Sequence, residues 1–67
     1  MKFRFLFNPP SDDKHSEMLD HEAPTPESAQ NRAQALIEMA SGDYKSITIF
    51  AESGGRWRSM AICTKFL

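Results

Sequence analysis

Three groupings in this chain have the residue types that do chemistry. Asp12, Asp13, Glu17, Asp20 and Glu22 surround His15 and His21, a set with the donor atoms of a metal site or of acid–base work. Cys63 is the only cysteine, a nucleophile if a base were held against it. Arg56 and Arg58 flank Trp57 just after Gly54 and Gly55, pairing cations with an aromatic ring. Such a pair suits phosphates, stacked bases or a protein surface.

The first two groupings lack what their chemistry needs. The histidines form no HExxH pair, and the acids have no EF-hand glycine or second anchored cluster. A polar, acidic segment of this kind reads as a solvated loop, a poor place to hold acid–base geometry. Cys63 falls inside a strand-forming run with no histidine near it in sequence, so a small buried hydrophobe is the expectation. Gly54 and Gly55 lack the lysine and helix of a phosphate loop and read as a turn. The sequence therefore points to no enzyme, no cofactor and no metal.

The elements that must position the third grouping are legible. Residues 2–7 alternate, with Phe3, Phe5 and Phe7 on one side and Lys2, Arg4 and Leu6 on the other, as in a half-buried strand. Asn8, Pro9 and Pro10 end it. Residues 8–24 are expected to be an acidic loop, with Met18 and Leu19 tucked against the body. Thr25 is expected as the N-cap of a helix over 26–41, with Pro26 first and Glu27 near the positive end of the dipole. Ala29, Ala33, Leu36, Ile37 and Ala40 form its apolar stripe. Gly42 supplies a stop.

Strands are expected over 45–52 and 56–66, joined by a two-residue turn at Gly54 and Gly55. A regular ladder from that turn sets Glu52 opposite Trp57, Phe50 opposite Ser59, Ile49 opposite Met60 and Ile47 opposite Ile62. Trp57, Phe50, Ala61 and Cys63 then share one face. A three-residue loop would turn Trp57 inward instead. The fold class predicted is α+β, a single βαββ domain. Its three-stranded antiparallel sheet has order 1-3-2, the last strand central and the helix on one face.

Sixty-seven residues form one small domain. At this size roughly 60% of the unfolded surface is buried on folding, and one core supplies about 3–5 kcal/mol net. With one cysteine no internal disulfide can add to it, so a partner or a second copy is a reasonable source of further burial. The net charge of -1 hides an asymmetry. Residues 8–24 carry five acids against Lys14, while the remainder carries seven basic and four acidic residues. The apolar start is short, interrupted by Arg4 and without a cleavage site, so it does not read as a secretory signal. With a free cysteine, the expectation is the cytoplasm of a cell or an infected host. No segment reaches the ~20 apolar residues of a membrane span.

Three readings compete for the sheet face left uncovered by the helix. Protein binding is preferred, with Trp57, Arg56, Arg58, Phe50 and Arg4 as anchors and Asp12, Asp13, Glu17, Asp20 and Glu22 as a second, acidic contact. Nucleic-acid binding on the open sheet is the alternative; it lacks an RNP-like pattern and has only a modest basic excess. In the third, the acidic loop folds over the basic side, Met18 and Leu19 cover Trp57, and the charges are neutralised within the chain. A small homodimeric structural role is also open.

The segments "MKFRFLF", "TPESAQNRAQALIEMASG" and "SITIFAESGGRWRSMA" make a layout that resembles small phage-encoded inhibitors, including some anti-CRISPR proteins. The quoted segments cover 41 of the 67 residues, and the likeness is one of plan, not motif. It implies a non-enzymatic monomer or dimer that blocks a host complex through charged and aromatic contacts. The acidic loop would then imitate phosphates toward a basic partner.

Overall fold

Successive side chains of a strand face opposite sides, and this period organises the molecule from its first residues. A computed structural model describes residues 1–40 and 42–65. Strand β1 (Lys2–Asn8) turns Phe3 and Phe5 fully inward and leaves Arg4 and Leu6 half-buried on the other side. It is followed by β2 (Glu17–Glu22), α1 (Pro26–Glu38), β3 (Ser46–Ser53) and β4 (Arg56–Thr64). The four strands form one antiparallel sheet in the order β2-β1-β3-β4.

The α+β class and the single helix agree with the sequence, but the strand count and order do not. The acidic segment 8–24 is not wholly a loop. Its second half is the edge strand β2, paired with β1 from Lys2 opposite Glu22 to Phe7 opposite Glu17. The ends are closed by reciprocal bonds: the Met1 ammonium donates to the Ala23 carbonyl at 3.0 Å, and the Ala23 N–H to that of Met1 at 3.1 Å.

This extra strand reverses the direction of everything after it. With β2 running down, α1 runs up and β3 down, so β3 can pair directly with β1 in antiparallel sense. The inner strands are therefore β1 and β3, and β4 lies at an edge, whereas the expected 1-3-2 order set the last strand at the centre.

The helix forms for the reasons its sequence suggests. Thr25 is the N-cap, its side-chain oxygen accepting from the Ser28 N–H at 3.1 Å. Pro26 occupies the first turn, where its missing N–H costs nothing. Ala29, Ala33 and Ile37 are buried, with Leu36 and Ala40 partly so. The helix ends at Glu38, short of residue 41, which lies outside the described residues. Turn bonds from Ala40 to Ile37 and from Asp43 to Ala40 carry the chain onward, and Gly42 takes a φ of 87°.

The helix packs on β3 and β4, and the core beneath it holds Phe3, Phe5, Ile37, Ile47, Ile49 and Cys63. Gly54 and Gly55 take φ of 60° and 79°, as a two-residue hairpin turn requires. Near that turn the register is the expected one, with Glu52 opposite Trp57 and Phe50 opposite Ser59.

Beyond it a bulge at Met60 shifts the ladder, so Ile49 faces Ala61 and Ile47 faces Cys63. This corrects the regular register, which set Met60 and Ile62 in those places. It also moves Ala61 and Cys63 from the open face to the helix side. Close approach of the alanine-faced helix accounts for the choice. Cys63 Sγ lies 3.8 Å from the Gln30 carbonyl oxygen, a space that suits a small side chain. Ile62 is turned out instead, 65% exposed. Residues 66 and 67 of the expected last strand lie outside the described residues.

Candidate protein-binding face

The side of the sheet away from α1 has no second layer among the described residues. Register places its side chains in rows. Met18, Leu6, Thr48 and Ile62 form one row across the four strands. Asp20, Arg4, Phe50 and Ser59 form the next. Glu22 pairs with Lys2, and Glu52 with Trp57, toward the turn end. Asn8, Ser46 and Thr64 close the other end.

Arg4 ties this face together. Its Nε donates to Asp20 Oδ1 at 2.7 Å and an Nη to Oδ2 at 3.2 Å, a two-pronged pair that fixes the guanidinium plane. The same guanidinium lies over the Trp57 ring, 4.2 Å from its centroid. Side chains from three strands, β2, β1 and β4, thus meet in one unit. The bond to Arg4 draws the Asp20 carboxyl below its ordinary pKa against a smaller opposing push from desolvation. The Arg4 pKa is correspondingly raised.

The residues singled out from sequence fall into separate groups. Arg4, Phe50 and Trp57 come together on the open face, with both rings half-buried. Arg56 and Arg58 are exposed near the turn, opposite Ser53 and Ala51, and so lie on the helix side of the sheet. Asp20 and Glu22 join the open face through β2, while Glu17 lies on the other side. Asp12 and Asp13 stay in the β1–β2 loop at the opposite end from Trp57.

Leu6, Met18 and Ile62 also belong to the face, and sequence reasoning did not select them as contacts. The alternation with the phenylalanines already sets Leu6 on this side of β1. Met18 required knowledge of β2, and Ile62 of the bulge. Met18 and Leu19 do not cover Trp57: they stand on the far edge strand, 58% and 47% exposed.

The other chemistry-bearing groups are dispersed. His21 packs its ring against Phe5, 5.3 Å between centroids. Among the described residues no three His, Cys, Asp or Glu side chains gather as ligands would. Burial pushes the Cys63 thiol pKa up, away from a reactive thiolate. No described helix is long and apolar enough to cross a membrane. No protein-family model matches the chain, and no curated protein or solved structure matches it either.

Proposed function

We propose that this protein is a non-enzymatic binding module that docks another protein on its open sheet face. The observation that carries the reading is the exposed Ile62, set in one layer with Phe50, Trp57, Leu6 and Met18 and covered by no helix. Aromatic, methionine and arginine side chains are enriched at interface anchors, and an apolar centre with a charged rim is the usual anatomy. Here the rim is Lys2, Asp20, Glu22 and Glu52. The Arg4 bridge holds Trp57 in place before any partner arrives, which lowers the ordering cost of association.

A narrower form of the proposal is an inhibitor of a host complex encoded by a phage or mobile element, acting in the cytoplasm of the infected cell. It would work by occupying a surface that the host complex needs. The fourth strand changes the layout on which that resemblance rests, so its support is the open face itself. Binding of single-stranded nucleic acid draws less support. Lys2 and Arg4, the cations of this face, stand opposite Glu22 and Asp20, which cancels the attraction for phosphates.

Substitution of the face tests the proposal. Ile62→Lys and Phe50→Ser should each weaken, by about tenfold or more, association with the protein that the wild-type chain retains from its own cell. Helical circular dichroism should stay unchanged. Retention equal to wild type in both variants would overturn the assignment.

A further inference from the structure

At the end of the sheet opposite the glycine turn, the β1–β2 loop stands off from the start of β3. Between them lies an open cleft of about 430 Å³. Its walls include Asn8, Asp12, Lys14, Ser16, Lys45 and Ser46, and polar atoms dominate them. The cleft shares no residue with the patch of Phe50, Trp57 and Ile62, so its ligand is a separate question from the docked protein.

Local bonds fix the backbone on either side of the cleft from which its two lysines project. The Lys45 N–H donates to the Asn8 carbonyl at 2.8 Å, which brings the segment before β3 against the end of β1. The Lys14 N–H donates to the Ser11 carbonyl at 3.3 Å, turning the loop back on itself. Among the described residues the one ion pair is Arg4 with Asp20, so neither lysine ammonium is neutralised by a carboxylate.

The remaining groups favour an anion as well. The Asn8 carboxamide donates to Ser46 Oγ and Thr48 Oγ1, each at 3.0 Å. Ser46 Oγ accepts that bond, which leaves its own proton for an acceptor in the cleft. Ser46 is only 9% exposed and is held in place by the bond. The Ser11 hydroxyl bonds the Asp13 carboxylate, which is not part of the wall. Asp12 is the single acid among the lining residues, against two lysines.

We propose that this cleft is an oxyanion site that takes a phosphate monoester. Lys14 and Lys45 supply two positive charges toward a phosphate carrying ≈ -1.5 to -2 at neutral pH, and Asp12 opposes one of them. The Ser46 and Ser16 hydroxyls donate to its oxygens. The volume leaves room for the small organic group that the phosphate esterifies.

The test is a titration of the isotope-labelled full chain, followed by amide chemical shifts. Inorganic phosphate and a nucleoside monophosphate are added in turn, with ionic strength held constant by chloride. Saturable shifts should be confined to Lys14, Ser16, Lys45 and Ser46 and their neighbours. Saturation by inorganic phosphate alone identifies the free ion as the ligand. Tighter saturation by the monophosphate identifies a phosphorylated small molecule, and either result supports the site.

The double change Lys14→Gln with Lys45→Gln should weaken binding by about tenfold or more. Both side chains are exposed, so the rest of the spectrum reports an intact fold. Asp12→Asn should tighten binding several-fold by removing the one opposing charge. Shifts that never saturate, or that chloride reproduces, would mean an adventitious ion only and overturn the proposal. Weaker binding in Asp12→Asn would overturn it too, because it would mark a site for cations.

Discussion

Arg4 is the residue on which the open face turns, and its bonds give it a pH dependence with a defined sign. Because the Asp20 pKa is lowered in the folded chain, the pairing favours the fold most above the ordinary carboxylate range. The contribution is lost as pH falls through the lowered value, beneath that range. Arg4 is half-buried and Asp20 exposed, so water still screens the pair and the effect on stability is small, but the effect on Trp57 is direct. Trp57 emission should stay constant from neutral pH through mild acid and change only as Asp20 takes up its proton. Asp20→Asn should abolish that acid transition. An unchanged transition in the variant would assign it to another carboxylate.

Core residues behave differently. Phe5 is fully buried, and Phe5→Ala should cost about 3–5 kcal/mol, comparable with the whole stability expected at this size. Urea denaturation should find that variant largely unfolded without denaturant. Wild-type stability would mean that Phe5 does not form part of the interior.

At the scale of elements, the two departures from the sequence reading have one origin each. The run Glu17 to Glu22 carries no β-branched residue and only weak alternation, so nothing in its composition favours a strand. What makes it one is tertiary: the Arg4 pair and the ladder to β1. At an edge only one side of the strand must be satisfied. Its exposed charges also discourage pairing with a further strand.

The bulge at Met60 is equally invisible locally, because both registers place apolar residues beneath the helix. The choice depends on how closely the alanine stripe approaches, which is a property of the packed pair. By contrast, the cap at Thr25, the stripe of α1 and the glycine turn are encoded within a few residues each. The separation of Trp57 and Phe50 from the helix was legible too, because the register next to a two-residue turn is set by the turn itself.

The bulge makes a further prediction. Deleting Met60 removes the extra residue and leaves Ala61 and Cys63 facing the helix as before. The shortened chain should fold cooperatively and keep a Thr48 to Ile62 contact in nuclear Overhauser spectra. In a regular ladder the same deletion would reverse every side chain beyond it. Loss of folding in the variant would therefore contradict the bulge.

The whole molecule is thin, with extents of 34 × 22 × 14 Å, as one helix laid on one sheet must be. Two layers make one interior, and the side chains on the outer side of the sheet find no cover of their own. Acidic β2 lies beside basic β1, so much of the charge asymmetry along the chain is resolved within the sheet. Dominance of apolar over charged contacts at the centre of the face follows from this. So does the expectation that added salt weakens partner association only modestly.

The measurement closest to the central claim is site-specific photo-cross-linking in the native cell. A photoreactive amino acid replaces Ile62 on the open face or Asn31 on the exposed side of α1. The account predicts a discrete protein adduct from position 62 and none of comparable yield from position 31. Efficient cross-linking from the helix, with none from the sheet face, would contradict it.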